Sequence, residues 1–416
     1  MRARPLLLVT AGLVLAAVAA YTALAYHPAI PPLAALPSFP PEQVAAGAEL
    51  AAIGDCAVCH TAANGPRLAG GRPVPTPFGA VYATNITPDP DTGIGKWPEP
   101  AFRRAMRDGV ARDGSHLYPV LPYPHFTRAT DADISALYAY LMTRTPIRAT
   151  APANRLAFPF DQRWTLAAWN LLFLSPGPFQ PDKAHDAAWN RGAYLVEAVG
   201  HCGACHTPRN PLGAEESQKL AGGQAEGWWA PPLQAASPAP LPWTEAQLAD
   251  YLRTGFASEH GAAAGPMTEV TEQLAAVPAP DIAAIATYIA SFMPHPDAIT
   301  TAARFQEDPA GKALFAGACA ACHADDAPMT RNGAPSLGFS TAVNAPTPQP
   351  VIQAILHGIP WREGKPTPYM PAFAPALTDT QIAQLAAYLR ARYTGKPAWS
   401  GIETELAKAR KKGEAS

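Results

Sequence analysis

Charge and spare cysteine are scarce in this 416-residue sequence. Charged residues make up only 15% of the chain, the formal net charge is −2, and no segment rich in lysine or arginine interrupts the body before the C-terminal tail. A protein that binds a nucleic-acid backbone needs a basic patch, so nothing here favours nucleic acid as a partner. The chain also has no glycine fingerprint for a dinucleotide and no nucleophile elbow. Its chemistry must come from other residues.

The cysteines supply that chemistry, because all six lie in three copies of a C-x-x-C-H motif. The thiols are those of Cys56, Cys59, Cys202, Cys205, Cys319 and Cys322, and the adjacent histidines are His60, His206 and His323. This motif is the attachment signature of c-type haem, in which both thiols form thioether bonds to the porphyrin and the histidine coordinates the iron. The sequence therefore predicts three covalently attached haem c groups.

Two other readings of C-x-x-C fit less well. A zinc site calls for paired motifs roughly 15–20 residues apart, whereas these motifs lie more than a hundred residues apart. A redox dithiol calls for a single motif in a βαβ setting. Three copies, each followed by histidine and with no cysteine left over, favour haem.

The fold predicted from the sequence is all-α, with three tandem class I cytochrome c-like domains and long loops rich in its 48 prolines and 31 glycines. A short helix leads into each motif, and a closing helix ends each unit. The closing helices share an isoleucine followed six residues later by a tyrosine, at Ile134/Tyr140, Ile282/Tyr288 and Ile382/Tyr388. This shared offset indicates three copies of one fold. Thr130 is the predicted N-cap of the first closing helix.

Seven segments follow from these patterns. They are an N-terminal anchor or signal segment (1–26), a proline-rich tether (27–40), cytochrome c domain 1 (41–150), a linker (151–182), domain 2 (183–297), domain 3 (298–398) and a charged tail (399–416) that we expect to be a solvated helix end.

The N-terminal segment carries Arg2 and Arg4 before an uncharged run over residues 5–25. As a helix these residues would span ~31 Å, which is close to the hydrocarbon thickness of a bilayer. Residues 23–25 (ALA) also resemble a signal-peptidase site. A retained anchor is favoured and a cleaved signal stays open. In both cases the arginines remain inside and the haem domains lie outside the membrane.

The sixth iron ligand should come from the loop before each closing helix. Met267 in domain 2 and Met370 in domain 3 are the predicted ligands, because a soft thioether favours ferrous iron. Domain 1 has Leu121 at the corresponding position of its loop, and leucine cannot bind iron. His125 is the first candidate there and His116 the second, with a five-coordinate iron as the remaining alternative. A histidine would make this the haem of lowest potential.

The ring nitrogen of each proximal histidine that faces away from the iron needs a hydrogen-bond acceptor, usually a backbone carbonyl. Prolines 66, 208 and 328 lie in the loops where we expect that acceptor.

The chain resembles the membrane-bound three-haem cytochrome c subunits of periplasmic bacterial dehydrogenases. The resemblance covers residues 40 to 400 and is carried by residues 84–89 (TNITPD), 203–210 (GACHTPRN) and 369–373 (YMPAF). It implies no substrate chemistry in this chain, but electron transfer from a catalytic subunit to ubiquinone or a terminal oxidase. It also implies a location at the bacterial cytoplasmic (inner) membrane, with the haem domains on the periplasmic side.

The partner is predicted from two further stretches. Residues 122–127 (PYPHFT) and 227–233 (GWWAPPL) look like the branch that serves molybdenum hydroxylases such as nicotinate or aldehyde dehydrogenase, which also carry iron–sulfur clusters. A quinoprotein alcohol dehydrogenase or a flavin-dependent sugar dehydrogenase is the alternative, although Leu121 departs from the methionine of the alcohol-dehydrogenase branch. A remote alternative is a peroxidase-like enzyme that uses an open first haem.

Overall fold

The computed structural model describes residues 3–293, 308–331, 336–360 and 369–413. The chain divides into two compact units, Met1–Gln180 and Pro181–Ser416. The first C-x-x-C-H motif lies in the first unit, and the other two lie in the second.

The first unit is mainly helical, with one small antiparallel sheet in the order β1-β2-β3. Its helices are α1 (Ala3–Ala25), α2 (Pro41–Ile53), α3 (Cys56–Cys59), α4 (Glu99–Asp108), α5 (Tyr123–Phe126), α6 (Asp131–Met142) and α7 (Leu166–Phe173), with a 3₁₀ turn at Arg163–Thr165. Its strands are β1 (Pro73–Thr76), β2 (Gly79–Tyr82) and β3 (Arg155–Leu156), with Pro73 opposite Tyr82 and Gly79 opposite Leu156.

The second unit contains two further sets of helices and two two-stranded hairpins. Its helices are α8 (Ala187–Tyr194), continued by a π turn (Leu195–Val199), α9 (Gly203–His206), α10 (Glu245–Thr254), α11 (Pro266–Leu274), α12 (Ala279–Ala290), α13 (Pro309–Ala318), α14 (Ala320–His323), α15 (Pro328–Arg331), α16 (Thr341–Asn344), α17 (Gln349–His357), α18 (Asp379–Thr394) and α19 (Ile402–Gly413), with a 3₁₀ turn at Leu337–Phe339. The hairpins pair β4 (Gly223–Ala225) with β5 (Trp228–Ala230), and β6 (Phe256–Ala257) with β7 (Gly261–Ala262).

One helix crossing occurs three times. The helix before each motif crosses the closing helix at a glycine, where an added Cβ would overlap a carbonyl oxygen of the closing helix. The crossings pair α2 with α6 at Gly47 and Ala136, α8 with α12 at Gly192 and Ala284, and α13 with α18 at Gly311 and Gln384. Each carbonyl belongs to the residue four positions before the shared tyrosine, whose Cβ lies 2.7–2.8 Å from the built Cβ position. The shared tyrosine thus marks the same packing contact in each crossing.

Two of the three closing helices begin at a threonine that caps them, whereas α12 begins after Pro278 without a side-chain cap. Thr130 accepts a hydrogen bond from the Asp133 amide at 3.1 Å, which confirms the predicted N-cap of α6. Thr378 forms a full capping box with Gln381 at the start of α18. Such caps satisfy amides that the first turn of a helix leaves without a partner.

The C-terminal tail differs from our expectation of a solvated helix end. Helix α19 buries Ile402, Leu406 and Ala409 in the same apolar core as α17 and α18. Arg410 pairs with Asp379 at 2.8 Å. The charges of the tail occupy one side of an amphipathic helix, and its apolar side completes the third core.

The hairpins are the other departure from the all-α expectation. They are short. The β1–β2 and β4–β5 pairs lie between a motif helix and the helix that follows, β6–β7 lies between α10 and α11, and β3 follows α6. The predicted helices therefore carry the fold, while the loops contain paired strands of two to four residues.

The N-terminal run forms α1 over Ala3–Ala25. Among the described residues, no helix combines the length and hydropathy needed to cross a bilayer. The anchor thus remains an expectation from the sequence.

Two glycines of α13 test the crossing. Gly311→Ala should lower the free energy of unfolding by about 1–3 kcal/mol, because the new methyl group overpacks the contact with α18. Gly317→Ala is the matched control on the same helix, since nothing lies within 4 Å of its built Cβ. The control should stabilise by roughly 0.5–1 kcal/mol. Chemical denaturation of both variants measures the difference, and equal midpoints would contradict the packing argument.

Candidate haem sites

Each C-x-x-C-H motif forms a single helical turn. The histidine amide donates to the carbonyl of the first cysteine at 3.1 Å for His60, 3.0 Å for His206 and 2.9 Å for His323. Cysteines three positions apart on such a turn project from the same side, as attachment to two vinyl groups of one porphyrin requires. All six cysteines are free of disulfides.

The first cysteine of each motif has a raised thiol pKa. Burial raises the pKa of Cys56 and Cys202 to about 12 and that of Cys319 to about 11. A structural zinc site binds thiolates, and within the described ranges no cluster of three metal-binding side chains occurs. The raised pKa values favour the protonated form of these thiols.

The proximal histidines of the first two motifs are held by backbone carbonyls. Nδ1 of His60 lies 2.6 Å from the carbonyl oxygen of Thr84, and Nδ1 of His206 lies 2.7 Å from that of Pro231. A carbonyl can only accept, so Nδ1 carries the proton and Nε2 keeps its lone pair for iron. Burial also lowers the pKa of both rings, which favours the neutral form.

These acceptors correct our expectation for prolines 66 and 208, since the carbonyls come from Thr84 and Pro231. For His323 the predicted carbonyl partner stays a prediction, although burial likewise lowers the pKa of its ring.

A repeated tetrapeptide could have identified the acceptors. Residues 68–71 and 220–223 both read LAGG. In each copy the third residue donates to the proximal histidine carbonyl, from Gly70 at 2.8 Å and from Gly222 at 2.7 Å. The leucine carbonyl of each copy accepts the amide of the residue two positions after the acceptor. The repeat therefore folds the loop back onto its histidine in the same way twice.

The distal loops share a second internal distance. Helices α4, α10 and α17 each end at a glycine in the left-handed region, with φ of 62°, 75° and 68°. The pairs Gly109 and Leu121, Gly255 and Met267, and Gly358 and Met370 are each twelve residues apart. Leu121 thus occupies in domain 1 the position that Met267 occupies in domain 2 and Met370 in domain 3.

Met370 lies in a constrained loop beside its motif. Its backbone exchanges two hydrogen bonds with Ile359, at 2.9 and 3.0 Å. A Cβ on Gly358 would overlap the Met370 carbonyl, so only glycine fits there. Met370 and Cys319 pack against the same buried cluster. The third motif and its predicted ligand therefore share one apolar core.

Met267 lies in the first turn of α11 and is partly buried. The preceding Gly265 has φ of 55°, and an added Cβ there would overlap the indole of Trp228. The loop that carries Met267 is therefore pressed against β5. Iron ligation by Met267 and Met370 remains a prediction from position.

The first site places its two candidate histidines differently. His116 is 5% exposed, and its Nε2 lies 3.2 Å from the carbonyl oxygen of Ala25, toward the N-terminal segment. His125 lies in α5, four residues after Leu121, and is partly exposed. Tyr123 fixes this turn, because it is fully buried and its hydroxyl donates to Asn170 at 2.6 Å. This placement favours His125 over His116, and both stay predictions.

The thiol pairs, the tautomer-fixed histidines and the distal loops together fit covalent haem, whose iron takes up and releases one electron. A helical fold built around such motifs defines a c-type cytochrome, which is an electron-transfer protein.

Known proteins agree with this class. The family model "Cytochrome c" matches residues 44–145, and "Cytochrome C oxidase, cbb3-type, subunit III" matches residues 306–389. A nicotinate dehydrogenase subunit of Pseudomonas putida is 49% identical over 88% of this chain and 31% of its own length, so the chain spans about a third of that relative.

Two other relatives match over most of both chains. The fructose dehydrogenase cytochrome subunit of Gluconobacter japonicus is 37% identical over 84% of this chain and 79% of its own length. The gluconate 2-dehydrogenase cytochrome c subunit of Pantoea cypripedii is 38% identical, over 83% and 84%. The chain belongs to this family of dehydrogenase-associated cytochrome c subunits, and it is an electron-transfer subunit rather than the catalytic one.

Position 121 can be tested directly. Leu121→Met should supply a thioether ligand to the first haem and raise the lowest potential, because soft sulfur favours ferrous iron. Spectroelectrochemical titration measures the shift, and a new near-infrared sulfur-to-iron band would accompany it. Leu121→Ile is the matched control, since isoleucine cannot bind iron. An unchanged lowest potential in the methionine variant would contradict the assignment of position 121.

Proposed function

We propose that this chain carries three covalent haems in three tandem cytochrome domains. The observation that carries this proposal is the threefold recurrence of one arrangement. Each copy contains a C-x-x-C-H turn, a glycine crossing with a closing helix, and a glycine-capped helix twelve residues before the distal position. A motif without haem would have no use for the rest of that arrangement.

The proposed electron donor is the catalytic subunit of a periplasmic dehydrogenase, and a molybdenum hydroxylase is favoured. The 49% identity to a nicotinate dehydrogenase subunit supports this branch. The acceptor would be ubiquinone or a terminal oxidase.

A sugar or alcohol dehydrogenase is the second candidate donor. It is supported by the two cytochrome subunits at 37% and 38% identity, which match this chain over about four-fifths of their own length. The match therefore covers a much larger share of these two relatives than of the nicotinate dehydrogenase subunit.

The proposed location is the outer face of the bacterial cytoplasmic membrane. Arg2 and Arg4 before the apolar α1 support export with the arginines left inside. Exposed Leu13, Leu15 and Val18 on α1 support contact with lipid.

The haem count follows from the covalent attachment. Intact mass spectrometry of denatured protein should show three haem masses retained on the chain. The double variant Cys56→Ala/Cys59→Ala should lose one haem mass and retain the other two. A wild-type chain with fewer than three haems would contradict the proposal.

The donor can be identified from the native complex. Purification through this subunit from its native membranes, followed by metal analysis, should recover molybdenum together with iron beyond the haem content. A partner without molybdenum would move the assignment to the sugar or alcohol dehydrogenases. Recovery of the cytochrome alone, under conditions that preserve such complexes, would contradict both donors.

A further inference from the structure

The short segment over residues 227–231, here called the Gly227 segment, supports both axial sides of the second haem site. At its end, the Pro231 carbonyl accepts from Nδ1 of His206 at 2.7 Å. Near its start, the Trp228 indole lies against Gly265, two residues before Met267. A displacement of this segment would therefore disturb both the proximal histidine and the predicted distal ligand.

The same segment is bound to a helix of the third site. Gln349 and Gln353 of α17 both donate from Nε2 to the carbonyl of Gly227, at 2.8 and 2.9 Å. A side-chain amide can donate to a carbonyl only through its NH₂ group, so the orientation of both glutamine amides is fixed. Together they occupy both lone pairs of one oxygen.

The buried position of this contact indicates that it is specific. Gln353 is 4% exposed, and its Oε1 finds no hydrogen-bond partner within the described residues. A buried amide that leaves its own oxygen unsatisfied is an unfavourable packing residue. The NH₂ group is therefore the part of the Gln353 side chain that accounts for its buried position.

Helix α17 leads directly to the distal loop of the third site. It ends at His357, whose ring centroid lies 6.3 Å from that of Trp228. The next residue, Gly358, is in close contact with the Met370 carbonyl, and Ile359 pairs with Met370. Helix α17 thus contacts the Gly227 segment along its length, and the residues that follow its C-terminal end hold the distal loop of the third site.

We propose that Gln349 and Gln353 are positioning residues that hold the ligand frame of the second haem against that of the third. They set the separation of the two haems, and with it the rate of electron exchange between them, because electron tunnelling falls steeply with distance. They also hold the segment that orients His206, and so they influence the potential of the second haem. This inference rests on the proposed presence of three haems.

The test removes the donors without changing the volume. Gln353→Met and Gln349→Met are made singly and together, with exposed Gln218→Met as the matched control. The double variant should shift the potential of the second haem, slow electron exchange between the second and third haems after rapid partial reduction, and leave the potential of the first haem unchanged. Met267→His identifies the component of the titration that belongs to the second haem.

Hydrogen exchange supplies a readout that does not depend on haem chemistry. Gln353→Met should speed amide exchange in β5 about fivefold, the factor expected for the loss of one typical hydrogen bond. Gln349→Met should speed it by at least as much, because it also removes the bond that Gln349 Oε1 accepts from Gln224 of β4 at 2.9 Å. Gln349 is partly exposed at the start of α17, so its variant keeps the test open if Gln353→Met fails to fold.

The outcomes separate the two proposals. A wild-type chain with fewer than three haems would contradict the three-haem proposal, whatever the variants do. A folded double variant with three haems, an unchanged second potential and unchanged electron exchange would overturn the positioning role. A fall in thermal stability with the second potential and the electron exchange both unchanged would show that the glutamines make only a structural contact. That result would also overturn the positioning role.

Discussion

The hydrogen bond between an imidazole Nδ1 and a backbone carbonyl is the interaction on which the first two haem sites depend. At His60 and at His206 it fixes one tautomer and one ring orientation, and it leaves Nε2 available for iron. The acceptor residues, Thr84 and Pro231, lie more than twenty residues after their histidines. The loop must therefore return to the motif, which accounts for the bonds from Gly70 and Gly222 to the same histidines.

A second constraint is the glycine that ends the helix before each distal loop. Its left-handed backbone lets the chain turn sharply and pair with the following loop, and the distal position falls twelve residues later in all three copies. The scaffold is thus constant while the residue at that position varies. Leu121 is the variation, and under the proposed ligation it would separate the first site chemically from the sites of Met267 and Met370.

Much of this arrangement could be predicted from the sequence. The three motifs, the N-cap at Thr130 and the isoleucine–tyrosine offset depend on local patterns. The structure confirms the cap and places each shared tyrosine at a helix crossing. The acceptor carbonyls were missed because a backbone carbonyl has no residue type of its own, and the only sequence signal for them was the repeated LAGG tetrapeptide of the two loops. The core role of α19 was obscured by its lysines, which share the helix with buried Ile402 and Leu406. The contact of Gln353 with Gly227 was hidden because it joins residues more than a hundred positions apart.

The central claim is that one scaffold holds three haems and that the residue twelve positions after the capping glycine distinguishes them. Near-infrared magnetic circular dichroism of the fully oxidised wild-type protein tests this most directly, because it counts methionine-ligated haems separately from the others. The account predicts two methionine-ligated haems and one haem without methionine. Three methionine-ligated haems, or fewer than two in a chain that carries all three, would contradict it.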